Sequence, residues 1–185
     1  ASANIIANNL KFLVNDGHAS NMCGPLAIAQ LRDAGLLSKN INLPDYWLLE
    51  PYQVHFQLLL DNLFPVEDYQ RIRIENPINE INYLENPLYT GDYVYLYYGD
   101  LGTFEHIFTV TRVDAEGRAY TVTNVFTGTD YLIQEKMLYD PNNVGEGLFY
   151  EYTNLKNWNI GYTGFGGLEI WRPTTPILPV EEIIS

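Results

Sequence analysis

Residues 20–29 read Ser20-Asn21-Met22-Cys23-Gly24-Pro25-Leu26-Ala27-Ile28-Ala29, and this stretch decides the fold. It has the marks of a helix start. Ser20 or Asn21 supplies a capping oxygen, and Pro25 falls in the first turn, where a missing N–H costs nothing. Leu26, Ala27, Ile28, Ala29, Leu31 and Ala34 carry the apolar residues on to Gly35, a natural C-terminal stop. The one cysteine of the chain therefore stands at a helix N-terminus.

Upstream, the apolar patch Leu10 to Val14 gives way to the turn-rich Asn15-Asp16-Gly17-His18. Downstream, a second helix is expected from near Pro51 through Val54, Leu58, Leu59 and Leu60 to about Leu63, ended by Pro65. A third, short one is expected from Asn76-Pro77, carrying Ile78, Ile81 and Leu84. Then the period changes. Gly91-Asp92 opens the β-rich run Tyr93-Val94-Tyr95-Leu96-Tyr97-Tyr98. His106 to Val113 and Arg118 to Asn124 flank the turn Asp114-Ala115-Glu116-Gly117, which reads as a hairpin. A last strand is expected at Leu168 to Trp171. Helices first and an antiparallel sheet second predict an α+β fold.

A thiol is a good nucleophile only as thiolate. A helix N-terminus and a histidine that takes its proton both favour that form. The same N-terminus favours an oxyanion developing on a substrate carbonyl. The histidine in turn needs a third group to fix its ring and tautomer. A turn centred near Glu116 pairs residues whose numbers sum to about 231, which sets His106 opposite the Asn124–Val125 end of the partner strand. Asp114 or Asp130 is an alternative orienting group. Each residue also has a plain reading: a cysteine is commonly a small buried hydrophobe, and histidine and asparagine fit strand ends. Cys23 before Gly24-Pro25 at a helix start, taken together with His106 and Asn124, favours chemistry over these plain readings. His55, beside Phe56 in the second helix, reads as structural.

Asn21-Met22-Cys23-Gly24-Pro25-Leu26-Ala27-Ile28-Ala29 resembles the nucleophile helix of bacterial papain-like thiol peptidases. The nearest branch is the one related to the leader peptidases of bacteriocin exporters, where a Cys-Gly-Pro/Ala step starts a helix of small apolar residues. Gly91-Asp92 before a strand is similar to the element preceding the catalytic-histidine strand in that branch and in bacterial cell-wall endopeptidases. His106-Ile-Phe-Thr-Val-Thr-Arg-Val-Asp resembles the histidine strand itself. Thr-Val-Thr-Asn124 resembles the strand end carrying the third member. The resemblance covers about residues 15–125 and the closing strand.

It implies a papain-like fold with the nucleophile helix packed on an antiparallel sheet, and a secreted bacterial cysteine peptidase. Its catalytic residues would be Cys23, His106 and Asn124, its substrate a peptide or protein, cell-wall peptide included, and it would use no cofactor or metal. Such families place a glutamine six residues before the cysteine to complete the oxyanion hole. Here that position is Gly17, and His18, Asn15 and Asn21 are the nearest substitutes. Two alternatives stand beside the peptidase. One is a transglutaminase-like or cell-wall acyl-transfer enzyme using the same residues. The other is a catalytically inactive papain-like binding or adhesion module.

Composition narrows the classes further. The chain has 185 residues, 46% hydrophobic and 14% aromatic, which suits one domain that buries roughly 70% of its unfolded surface. Ten Lys and Arg against 23 Asp and Glu leave a formal charge of −13. Such a surface repels phosphate backbones and anionic lipid, which argues against a nucleic-acid partner. No run approaches the roughly 20 apolar residues of a membrane span. One cysteine excludes an internal disulfide and a Cys-based zinc site, and three scattered His without a His-Glu-x-x-His pattern argue against a catalytic metal.

Ala1-Ser2-Ala3 reads as the remnant of a signal-peptidase site, although a cloning scar reads the same. Residues 173–185, with Pro173, Pro176 and Pro179, read as a semi-rigid tail or linker after a thiol-hydrolase domain of residues 1–172. Together these set the expectation of an extracellular or cell-surface location. Gly164-Phe165-Gly166-Gly167 precedes a strand, so it serves a turn or a close backbone approach rather than a phosphate loop.

Overall fold

The computed structural model describes residues 23–46, 51–100, 104–126, 128–129, 131–154 and 160–176. Helix α1 spans Cys23–Asp33, a 3-10 turn spans Leu43–Tyr46, and α2 spans Val54–Leu63. Strands β1 (Tyr69–Ile74), β2 (Tyr93–Leu96), β3 (His106–Val113), β4 (Ala119–Phe126) and β5 (Tyr131–Tyr139) follow, then helix α3 (Leu148–Asn154) and strand β6 (Leu168–Pro173). The six strands form one sheet in the order β1-β6-β2-β3-β4-β5, every neighbour antiparallel. This is an α+β architecture, as the change of period predicts.

The central strands are covered on both sides. Leu26, Ile28 and Leu31 of α1 and Leu60 and Leu63 of α2 pack with Tyr93, Tyr95, Ile107 and Trp171 on one face. Val94, Leu96, Phe108, Val110, Leu168 and Ile170 pack with Leu138, Phe149 and Phe165 on the other. That is why Tyr93-Val94-Tyr95-Leu96 carries no polar position: all four residues are buried.

Helix α1 is fastened to the sheet by side chains. Thr109 Oγ1 donates to Ala27 O (2.9 Å) and Gln30 Nε2 donates to Val122 O (2.6 Å). Gly24 permits the close approach, since a Cβ there would lie 2.6 Å from Tyr46 O. The glycine run at 164–167 makes the close approach expected of it. Gly166 N–H donates to Tyr97 O and Tyr97 N–H to Gly167 O, both 3.0 Å, and a Cβ on Gly166 would sit 2.7 Å from Tyr98 O.

Several expectations are corrected. Residues 77–84 form successive turns, not a third helix: Ile78 N–H is drawn to Phe165 O (3.2 Å), and Asn82 Oδ1 accepts from Leu84 N–H (3.1 Å). Ile78 and Ile81 are buried but Leu84 is exposed. Helix α2 starts at Val54 rather than near Pro51, and of its expected apolar face Val54 and Leu58 are exposed. Strands β1 and β5 and helix α3 were not anticipated. The last strand runs past residue 172, since Pro173 pairs with Tyr69 and Thr174 N–H donates to Asp68 O (2.8 Å).

Candidate active site

The site is built where β3 and β4 part. Their pairing runs from Val113↔Ala119 through a bulge to Val110↔Thr121, whose numbers sum to the expected 231. Beyond it, residues His106 to Thr109 pair with β2, and Thr121 to Phe126 pair with β5. Side chains take up the bonds that the ladder gives up. Thr121 Oγ1 donates to Thr109 O (2.7 Å), and Gln30 of α1 satisfies Val122 O. The N-terminus of α1 meets β3 at Ile107 beside this opening.

Cys23 is the first residue of α1, partly buried against the helix-side core. Burial pushes its thiol up to about 11. The backbone N–H groups of Ile107 and Gly24 act in the opposite direction, and the Glu105 carboxylate adds to the rise. The sulfur thus faces the backbone of Ile107, the residue next to His106. It also lies within electrostatic reach of the buried hydroxyls of Tyr93 and Tyr152, both raised chiefly by burial. Tyr95 OH donates to Glu105 Oε2 (2.9 Å), which holds that carboxylate on the thiol side of the strand.

His106 is 4% exposed. Its ring lies parallel to Phe104 (centroids 6.3 Å, 17°), near Phe108 (6.1 Å) and edge-on to Tyr152 (6.2 Å). Burial lowers its pKa to about 4, so the imidazole is neutral over the physiological range. Nε2 lies 3.2 Å from Thr123 Oγ1, and Thr123 Oγ1 lies 3.4 Å from Asn124 Oδ1. The hydroxyl that meets the imidazole is Thr123, a residue the sequence reading passed over. The signal was in the register: with a sum of 231, Phe108 stands opposite Thr123 and Ile107 opposite Asn124. Thr123 therefore shares His106's face of the sheet, and Asn124 is out of phase by one residue.

The structure sets Cys23, His106 and Asn124 near one end of β3 and β4 but on different sides of the sheet. Cys23 packs with Ile107 on the α1 face, while the His106 ring lies against Phe108 and Tyr152 on the other. Asn124 reaches the imidazole by way of Thr123. The oxyanion candidates His18 and Asn21, with Asn15, lie outside the described residues, as does Asp130. Asp114 sits at the far end of β3, about 25 Å away by strand rise, bound to Arg118. His55 is an exposed residue of α2 whose ring contacts Phe56 at 4.0 Å. Among the described residues no group of three or more His, Cys, Asp or Glu is arranged to hold a metal ion, and no helix is long and apolar enough to cross a membrane.

No family model, no curated protein and no solved structure matches this chain.

Proposed function

We propose that this chain is a papain-like thiol hydrolase that cleaves amide bonds, in the first place those of peptides. The observation that carries the reading is the meeting of the α1 N-terminus with the start of β3. The Cys23 sulfur faces the Ile107 N–H, and the neutral imidazole of His106 stands one residue along the same strand. Proton transfer between them requires that substrate binding relieve the burial that raises the thiol and lowers the imidazole. In the proposed cycle His106 takes the proton of Cys23, and the thiolate adds to the substrate carbonyl. The Cys23 N–H, with His18 or Asn21, binds the oxyanion. Collapse breaks the C–N bond, and His106 passes the proton to the leaving amine. Water, deprotonated by the same imidazole, then hydrolyses the thioester and restores the thiol.

One observation favours a second reading, a non-catalytic module on the same fold. Burial holds the thiol protonated and the imidazole neutral in the resting chain, so the pair carries no charge to react with. The two readings part on the rate of Cys23 alkylation by iodoacetamide from pH 4 to 9, in wild type and in His106→Ala. A working pair labels quickly below pH 7, and the variant moves the apparent pKa to about 8.5 or above. A thiol that labels only at high pH, identically in both proteins, sinks the hydrolase and leaves the module.

A further inference from the structure

Among the threonines of the β3–β4 pair, one behaves differently from the rest. Thr109, Thr111 and Thr121 each direct the hydroxyl to a backbone carbonyl, of Ala27, Tyr120 and Thr109 respectively. That is the usual outlet for a strand threonine near unpaired backbone. Thr123 is 1% exposed and meets two side chains instead, His106 Nε2 at 3.2 Å and Asn124 Oδ1 at 3.4 Å. Phe104, Phe108 and Tyr152 fix the plane of the imidazole from around it. Among the described residues, Thr123 is the hydrogen-bond partner of that ring.

A hydroxyl has one proton to give and lone pairs to receive with. An amide oxygen only accepts, so the contact with Asn124 Oδ1 uses the Thr123 proton. The contact with Nε2 then requires the proton to be on the nitrogen. We infer that Thr123 is the positioning residue of His106: its hydroxyl accepts from Nε2–H and donates to Asn124 Oδ1, leaving Nδ1 as the basic nitrogen. Asn124 thereby acts on the imidazole through Thr123. Its amide orients the hydroxyl, and the hydroxyl selects the tautomer. The inference builds on the proposed role of His106 as base, but the tautomer is a property of the resting protein and is read without any substrate.

The test is a long-range proton–nitrogen correlation spectrum of the full chain carrying 15N-histidine at neutral pH. His18→Gln and His55→Gln variants assign the other two rings. Wild type and Thr123→Ser are expected to show Nε2 protonated and Nδ1 bare. In Thr123→Val, which keeps the shape and removes the hydroxyl, the tautomer ratio is expected to shift about 5- to 10-fold toward Nδ1–H, the size that one neutral hydrogen bond supplies. A bare Nε2 in wild type overturns the inference, and so does a wild-type ratio in Thr123→Val. The wild-type spectrum decides even if Thr123→Val fails to fold. Alkylation of Cys23 in the same proteins separates the two claims. The expected tautomer with an inert thiol upholds the positioning role and removes the hydrolase.

Discussion

Strands β3 and β4 face each other at two ends that solve the same problem in opposite ways. At the turn end, Asp114 Oδ1 accepts from the N–H groups of Glu116 (3.1 Å) and Arg118 (2.9 Å). Its Oδ2 accepts from Arg118 Nε (2.7 Å) and Tyr120 OH (3.1 Å). Arg112 grips Glu135 with two bonds and lies over the Tyr120 ring at 3.6 Å. Charges there are paired, solvated and next to a continuous ladder. At the open end the ladder stops, and His106, Thr123 and Asn124 are buried with a half-buried thiol beside them. Desolvation of a buried imidazole opposes folding, as the lowered pKa of His106 records, so the open end is costlier to bury than the solvated turn end. Strongly perturbed groups cluster at functional sites, which is consistent with the role proposed for His106.

The sharpest way to break this contrast is pH. His106 has its folded pKa lowered from 6.5 to about 4. A base with a depressed folded pKa contributes stability that is fully present above its unfolded pKa and is lost as pH falls toward the folded one. Wild type is therefore expected to lose ~3 kcal/mol between pH 6.5 and 4 through this residue. His106→Gln is expected to lose none of that part, as urea unfolding at the two pH values measures. Asp114 and Glu135 at the turn end are lowered by their arginine partners, so their contributions fall away only in the carboxylate range and below it. Equal acid slopes in wild type and His106→Gln would show that the open end is not strained by burial.

A smaller effect tests how tightly the opening is held. In Gly24→Ala the new methyl meets Tyr46 O at 2.6 Å, a backbone atom that cannot rotate away. The expected cost is ~1–3 kcal/mol, the usual penalty for overpacking, with a shift of the α1 N-terminus. Thermal unfolding reads the first, and a changed rate of Cys23 labelling reads the second. Wild-type stability in Gly24→Ala would mean that the 3-10 turn gives way and the thiol is held less firmly than the geometry states.

How legible was all this in the sequence? The helix over Cys23–Asp33 was, because Pro25 in the first turn and a run of small apolar residues act locally. The β3–β4 register was readable to within one residue from the turn: the pairs next to it, Val113↔Ala119 and Arg112↔Tyr120, sum to 232, and the bulge between Arg112 and Val110 brings Val110↔Thr121 to 231. Strand β1 was missed although Tyr69-Gln-Arg-Ile-Arg-Ile74 has two arginines in alternation. Its partner β6 lies about a hundred residues on, and Arg71 is bound to Glu169 across that gap. The expected third helix failed because Asn82 and Phe165 take backbone bonds that a helix needs. Thr123 was readable only as a parity statement. Its contact with His106 also needs β3 and β4 to part, which is a property of α1 wedged against Val122 and Thr109 and of no local sequence.

The smallest expected effect is the one that most directly sharpens the contrast. Arg112 and Glu135 have the best ion-pair geometry of the turn end, with Nε to Oε2 at 3.0 Å and Nη2 to Oε1 at 2.7 Å, yet their side chains remain 47% and 46% exposed. Water and salt screen such a pair, and ordering two long side chains offsets part of the attraction. A double-mutant cycle of Arg112→Ala and Glu135→Ala is expected to give a coupling of about 0.5 kcal/mol, within the range of exposed pairs, and to shrink as salt rises toward 1 M. The stacking of Arg112 on Tyr120 stays outside the coupling, because the Glu135 substitution does not touch it. A coupling that exceeded the pH-dependent loss at His106, or that ignored salt, would invert the argument. The turn end would then be the energetically expensive one, and the burial of polar groups at the open end would need no functional reason.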